Sequence, residues 1–238
     1  MPRLPLYREV KEKLIQALAA GEWLPGAKIP VEGELARRYS VGISTVRAAV
    51  SELDAAGILS RRQGKGTFVS EHANKSRLYR FFNLVNVDGM RETPMRDIVS
   101  LHRRRPTAAE SEFLPHSRYV YRLRSMFALH GQTAGVSDAT VPVGLFPRMS
   151  KSKVCNRNLT LYALYQANYN VNVVSVSADL SAERAPDDIA SLLGIKKGNA
   201  VLRIERKAYT YGDVPVELRI SWVNTAECKF HVDQGSTI

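Results

Sequence analysis

The most restrictive feature of the sequence is an abrupt change of period near residue 57. Val46, Ala49, Val50 and Leu53 recur at helical spacing, which predicts a helix from Ser44 to Ala56 that Gly57 ends. Directly afterwards, strand formers flank Gly64-Lys65-Gly66 and predict a hairpin, Ile58 to Arg62 and Thr67 to Ser70. One helix and one short hairpin cannot cover each other's apolar faces, so further helices must complete the core. The chain before residue 44 supplies two. Leu6, Val10, Leu14 and Leu18 mark a helix from Leu6 to Ala20 with one buried stripe, and Gly21 suits its end. After the Pro25-Gly26 turn, Leu35, Ala36 and Tyr39 form the inward side of a second, short helix, which breaks at Ser40-Val41-Gly42.

Three helices and a hairpin make a winged helix, in which the second and third helices form a helix-turn-helix. The outward side of the third helix carries Ser44, Arg47, Ala48 and Ser51. Small residues around an arginine let a helix enter a major groove, where guanidinium and hydroxyl groups meet bases and phosphates. A nucleotide-binding reading of Gly64-Lys65-Gly66 fails on spacing. A phosphate loop requires glycine, four residues and Gly-Lys-Ser/Thr, whereas Lys65 precedes a glycine, and no helix opens there.

The 238 residues suit two domains, and the 45% hydrophobic content is that of a folded protein. A net charge of +11 favours an anionic partner, but residues 1–72 hold 11 basic against 8 acidic residues and the remainder 23 against 15. The excess is therefore not concentrated at the amino end, and a nucleic-acid reading must rest on placement. Two isolated cysteines, Cys155 and Cys228, and a start without an apolar run lead us to expect a cytoplasmic protein without disulfides. Five scattered histidines offer no metal-ligand spacing, and no stretch suggests a membrane span. We expect no metal, no cofactor and no catalytic residues.

We expect residues 1–70 to form the first domain, 71–77 (EHANKSR) a polar linker, and 78–238 a second domain of different texture. Strand-like stretches run over residues 97–105, 119–128, 134–141, 171–180, 200–211 and 214–223, with turns at His130-Gly131 and Gly212-Asp213. Helical segments are expected at 159–168 and 187–193. The class is α+β, a winged helix-turn-helix followed by an antiparallel sheet with helices.

Residues 5–69, including EGELARRYSVGISTVRAAVSELDAAGIL and the wing GKGTFV, resemble the DNA-binding domain of GntR-family transcriptional regulators. The resemblance implies a dimeric repressor that binds double-stranded DNA at a palindromic operator. Its DNA contacts would be Ser44, Thr45 and Arg47 on the recognition helix and Gly64, Lys65, Gly66 and Thr67 at the wing. Arg37, Arg61 and Arg62 remain available for phosphate. The sequence departs from the family pattern at Val31, Gly33, Gly42 and Ile43, where relatives usually carry hydroxyl or arginine side chains. We expect a shifted sequence preference, and a cost of about 1 kcal/mol for a valine rather than serine helix start.

Residues 97–232 resemble the UTRA ligand-binding domain of the HutC subfamily, similar in fold to chorismate lyase; the carrying stretches include YRLRSMFALHGQTAGVSDATVP and NLTLYALYQANYNV. The resemblance implies effector contacts from Arg122, Arg124, Thr160, Tyr162 and Glu217, and dimerisation through this domain. The residues also support an anion site directly. Arg122 and Arg124 share a strand face, and Thr160 opens a helix whose free N–H groups attract a small phosphorylated or carboxylated metabolite. Ser137 stands where relatives have an acidic ligand residue, and Val223 where they have tyrosine, which argues against an amino-sugar phosphate. The aromatic stretch YRFFNLVNVDGMRE suggests a partly apolar ligand. Two other readings compete: a lyase-like enzyme, for which no catalytic set is visible, and a DNA binder that ignores small molecules.

Overall fold

The computed structural model describes residues 5–71, 81–155 and 159–232. Two compact units build the chain. The first contains α1 (Leu6–Ala19), α2 (Glu32–Tyr39), α3 (Ile43–Ala55), β1 (Leu59–Arg62) and β2 (Gly66–Val69). Val10, Leu14 and Leu18 of α1, Leu35 and Ala36 of α2, and Val46, Ala49, Val50 and Leu53 of α3 fill one core with Ile29, Leu59 and Val69. Truncating a side chain such as Leu14, 1% exposed, to alanine costs about 2–5 kcal/mol. Leu6, expected in the stripe, is instead 52% exposed, because α1 begins there and its first turn overhangs the core.

The valine start of α2 is partly compensated. The Glu34 carboxylate accepts a hydrogen bond from the Val31 N–H at 3.2 Å, one half of a capping box, and the Glu34 N–H that a serine hydroxyl would have met donates instead to the Val31 carbonyl at 2.9 Å. Ser40 closes the helix in the left-handed region at φ 54°. The β1–β2 hairpin pairs Arg62 with Gly66. Gly66 has φ 111°, a backbone conformation that strains any residue with a Cβ and so favours glycine.

The second unit is an antiparallel sheet of six strands in the order β4-β5-β6-β9-β8-β7: β4 (Met95–Arg104), β5 (Val120–Leu129), β6 (Gln132–Pro142), β7 (Ser175–Arg184), β8 (Ala200–Tyr209) and β9 (Pro215–Val223). A small ribbon pairs β3 (Leu84–Asn86) with β10 (Cys228–Phe230). Four helices complete it: α4 (Ala108–Phe113), α5 (Lys151–Val154), α6 (Leu161–Tyr169) and α7 (Asp187–Leu193). Leu161, Tyr162 and Tyr165 of α6 pack on the sheet face that carries Leu123 and Ala139. Ile189, Ala190 and Leu193 of α7 pack on the opposite face with Val136, Met126 and Trp222.

Two sequence expectations shift. The strand expected over 171–180 begins only at Ser175, because Val171, Val173 and Val174 are buried outside the sheet. Helix α4 was not anticipated; the Thr107 hydroxyl accepts from the Glu110 N–H and the Glu110 carboxylate accepts from the Thr107 N–H, a capping box that nucleates a six-residue helix. The expected linker, apart from Glu71, lies outside the described residues. Among those described, no helix is long and apolar enough to cross a membrane.

Candidate DNA interface and ligand cavity

Helix α3 presents Ser44, Arg47 and Ala48 outward, with Thr45 half-buried beside them. The Arg47 side chain, 64% exposed, donates from Nε to Glu32 at 2.8 Å, and the other Glu32 oxygen accepts from Arg61 at 3.1 Å. Arg61 also donates to the Arg47 carbonyl at 3.3 Å, so helix and hairpin contribute one cationic cluster around a single carboxylate. Arg62 stacks over Phe68, 4.4 Å from the ring centroid, while Gly64 and Lys65 form the exposed tip and Gly66 and Thr67 open β2. Arg37 is on α2, its Nε 3.4 Å from the Gly33 carbonyl. Val31 and Ile43, two of the departures from the family pattern, are 54% and 50% exposed. Glu32 and Lys28 were not singled out in the sequence; a glutamate in the first turn of a helix reads as an ordinary partner of the helix dipole.

In the second unit, strand parity decides what meets the cavity. Arg124 grips Asp138 with two hydrogen bonds of 2.8 Å and reaches Asp188 of α7 at 2.7 Å, and Arg122 also pairs with Asp138. Hydrogen bonding to Asp138 raises the Arg124 guanidinium above its ordinary value. The expectation that Arg122 and Arg124 face the ligand is therefore corrected. They lie on the α7 side of the sheet, where the buried Asp138, one position past Ser137, and Asp188 together balance their charge.

The opposite side holds a cavity of about 100 Å³. Ser125, Ser137 and Ser221 occupy adjacent register positions across β5, β6 and β9, and the Ser137 and Ser221 hydroxyls are 2.7 Å apart. Phe127 lies against Gly135, where a Cβ would come within 2.1 Å of the ring, so the aromatic wall requires that glycine. Thr160, which caps α6 by accepting from the Ala163 N–H at 3.2 Å, lines the cavity together with Tyr162.

Three arginines absent from the expected site face it: Arg96 of β4, Arg206 of β8 and Arg219 of β9, the last two directly paired in register. The Nε of each is buried without a hydrogen-bond partner. Glu217 lies behind the cavity with no exposed surface, accepting from Tyr162 at 3.0 Å, Tyr165 at 2.7 Å and Arg219 at 2.7 Å. Burial, reinforced by the Glu217 charge, pushes the Tyr162 hydroxyl up to about 12, so it remains a donor. Burial, with Arg219 nearby, lowers Arg96 to about 10, which leaves it cationic at neutral pH. Burial alone would lower Arg219, but the Glu217 charge prevails and raises it. Both oxygens of Glu217 are thus occupied by protein donors.

These two features define a class: a winged helix-turn-helix head with an exposed cationic face, joined to a domain with a cationic, aromatic-walled cavity. Comparison with known proteins specifies it. Residues 6–69 match the model of bacterial regulatory proteins of the gntR family, and residues 90–229 match the UTRA domain. The "Probable fructoselysine utilization operon transcriptional repressor" of Escherichia coli K12 is 27% identical over 216 residues, covering 90% of this chain and 88% of that protein. The transcriptional repressor NagR of Bacillus subtilis is 25% identical over 211 residues, covering 87% and 85%. The crystal structure of PhnF from Mycobacterium smegmatis shares the fold, with a TM-score of 0.54 at 19% identity, covering 96% of this chain and all of that one. The chain belongs to the GntR family, in the group that joins a winged helix-turn-helix to a UTRA domain. It is a transcriptional regulator and not an enzyme.

Proposed function

We propose that the protein is a ligand-responsive repressor that binds a palindromic operator as a homodimer and senses a small anion in the cavity of its second unit. The observation that supports an anionic effector is the excess of guanidinium groups: Arg96, Arg206 and Arg219 line the cavity, Glu217 is bonded to Arg219, and each arginine keeps an unpartnered Nε. Buried charges are paired, so an anion is the missing counter-charge. A carboxylate or phosphate suits the planar guanidinium fork, and the α6 start at Thr160 adds free N–H groups. The aromatic wall of Phe81, Phe82 and Phe127 favours an apolar body on that anion.

On the DNA side, Arg47, Ser44 and Thr45 are the base- and phosphate-contacting groups of α3, and Arg61, Arg62, Lys65 and Thr67 hold the backbone through the wing. The exposed Ile43 at the start of α3 suits a thymine methyl where relatives use polar groups. In a dimer the two recognition helices would enter successive major grooves roughly 34 Å apart. An anion that weakens DNA binding must itself bind the DNA complex less tightly.

Titration calorimetry of the full chain with phenyl phosphate, benzoate and glucosamine 6-phosphate tests the cavity. At least one acid is expected to bind, and Arg206→Gln to weaken it tenfold or more. Unchanged affinity in that variant would remove the arginines from the site. Selection from random duplexes is expected to return inverted half-sites; a lone half-site would refute the dimeric operator.

A further inference from the structure

The floor of the cavity is made of three successive rows of the sheet, and each row has a different chemistry. Residues directly opposite in neighbouring strands share a face, and the next row on that face begins two positions along. One row runs Leu123, Ala139, Arg219 and Arg206 across β5, β6, β9 and β8. The next runs Ser125, Ser137, Ser221 and Ile204, and the third runs Phe127, Gly135, Val223 and Leu202. Cations, neutral hydroxyls and apolar groups therefore follow one another, roughly 7 Å from row to row.

The walls keep the same order. At one end Arg219 lies over the Tyr162 ring, 5.1 Å from its centroid. Arg96 starts opposite Phe127, but its guanidinium turns to the Val154 carbonyl at 3.1 Å, and Val154 packs in the cluster of Ala139 and Tyr162. At the other end Phe82 meets Phe127 edge to face, with centroids 6.0 Å apart, and Leu84 and Phe230 join the same apolar cluster.

The middle row is the anomaly. A sheet face covered by a helix is ordinarily apolar, as Ile98 and Ile204 are on either side of these serines. Yet Ser125 and Ser137 are 4% and 6% exposed, and all three serines line the cavity. The Ser137 and Ser221 hydroxyls bond to each other, and two hydroxyls that share one bond keep one O–H for a further acceptor. A buried donor left unmet costs free energy. No charged side chain stands in this row, so the group that suits it is a neutral acceptor rather than a second acid.

We propose that the effector is an acid with three parts in a fixed order: an anionic head held by Arg206 and Arg219, a neutral carbonyl over Ser137 and Ser221, and a flat apolar end against Phe82 and Phe127. This deepens the reading of the cavity as an anion site and rests on it. A sugar phosphate satisfies the arginines but sets hydroxyls against the phenylalanines. A plain arylalkyl acid satisfies both ends but strands the serine donor, and a site built to bond a polar group discriminates against the analogue that lacks it.

Two acids that differ at one position isolate the serine row: 4-oxo-4-phenylbutanoate has a carbonyl where 4-phenylbutanoate has a methylene. In titration calorimetry of the full-length protein the oxo acid is expected to bind roughly tenfold tighter or more. That preference is expected to fall below about threefold in Ser137→Ala/Ser221→Ala, and to shrink in Ser221→Ala alone, which changes only a half-buried position. Equal affinity for the two acids in the parent protein would overturn the serine assignment without any variant and would leave the anion site standing. A preference that survives in both variants would also overturn it, because the carbonyl would then sit elsewhere. Binding of glucosamine 6-phosphate while neither aryl acid binds would overturn the three-part order alone. Failure of all three ligands would overturn the anion site as well.

Discussion

Replacing Glu217 by glutamine tests whether the buried cluster is held together by charge. The side chain is isosteric, so packing is preserved, but the carboxylate bonded to Arg219 is lost and an amide N–H₂ faces donors from Tyr162, Tyr165 and Arg219. Stranding one member of a buried ion pair costs about 3–5 kcal/mol. A shift of about 2–4 °C per kcal/mol then predicts a melting temperature for the second unit lower by roughly 6–20 °C. The two tryptophans, Trp23 and Trp222, lie in different units, so in a Trp23→Phe background urea unfolding followed by fluorescence reports the second unit through Trp222. Adding Arg219→Gln removes the stranded cation, and the double variant is expected to be at least about 1 kcal/mol more stable than the sum of the single losses implies. A single-variant loss below 1 kcal/mol, or strict additivity, would refute the charge argument.

Two further outcomes follow from particular carboxylates. Burial, the largest influence on Glu110, would raise its carboxyl, but hydrogen bonds from Arg104, the Thr107 N–H and Thr140 outweigh it and hold the group at about 2 against an ordinary 4.5. A depressed carboxyl stabilises the fold above its unfolded value, and this contribution, about 3 kcal/mol, fades as pH falls from about 5 towards 2. The stability difference between the parent and Glu110→Gln in urea titrations is expected to shrink over that range; a pH-independent difference would contradict the assignment. On the DNA side, Glu32 holds both Arg47 and Arg61, which on the proposed reading exchange it for phosphate when a duplex arrives. Exposed pairs of this kind are weak, so Glu32→Gln is expected to tighten duplex binding by roughly two- to fivefold in gel-shift titrations. Equal or weaker binding would show that Glu32 instead pre-positions the arginines.

The first unit was legible because its signals are local. The apolar positions of α1 and α3 repeat within one helix, the glycines at 64 and 66 sit where the hairpin needs positive φ, and no distant partner is required to interpret them. Where the expectation slipped, at Leu6, the periodicity was right but an end effect won. Helix α4 was missed for a related reason: six residues are too few for an apolar period, and its stabilising signal is the Thr107–Glu110 box alone.

The cavity was harder to see because it is assembled across strands distant in sequence. Arg122 and Arg124 share a face, as their spacing requires, but spacing alone does not say which face meets the cavity. Parity does, once one neighbour is fixed: Leu123 and Ser125 sit with Ala139 and Ser137 under α6 and the cavity, which sends both arginines to the α7 side. The acidic residue at position 138, rather than 137, carries the same information, because an aspartate paired across a ladder with Arg124 neutralises it where it stands. The same parity puts a different pair of arginines on the cavity side. Arg206 and Arg219 are directly opposite in the β8–β9 ladder, on the face of Ile204 and Ser221, and no acidic residue lies opposite either in that ladder. Two adjacent guanidinium groups on a buried sheet face repel each other unless an anion lies between them, and Glu217, already holding two tyrosines and Arg219, cannot serve Arg206 as well. That unmet charge is the reason the proposed small acid is assigned to this side of the sheet rather than to the Arg-x-Arg motif on β5.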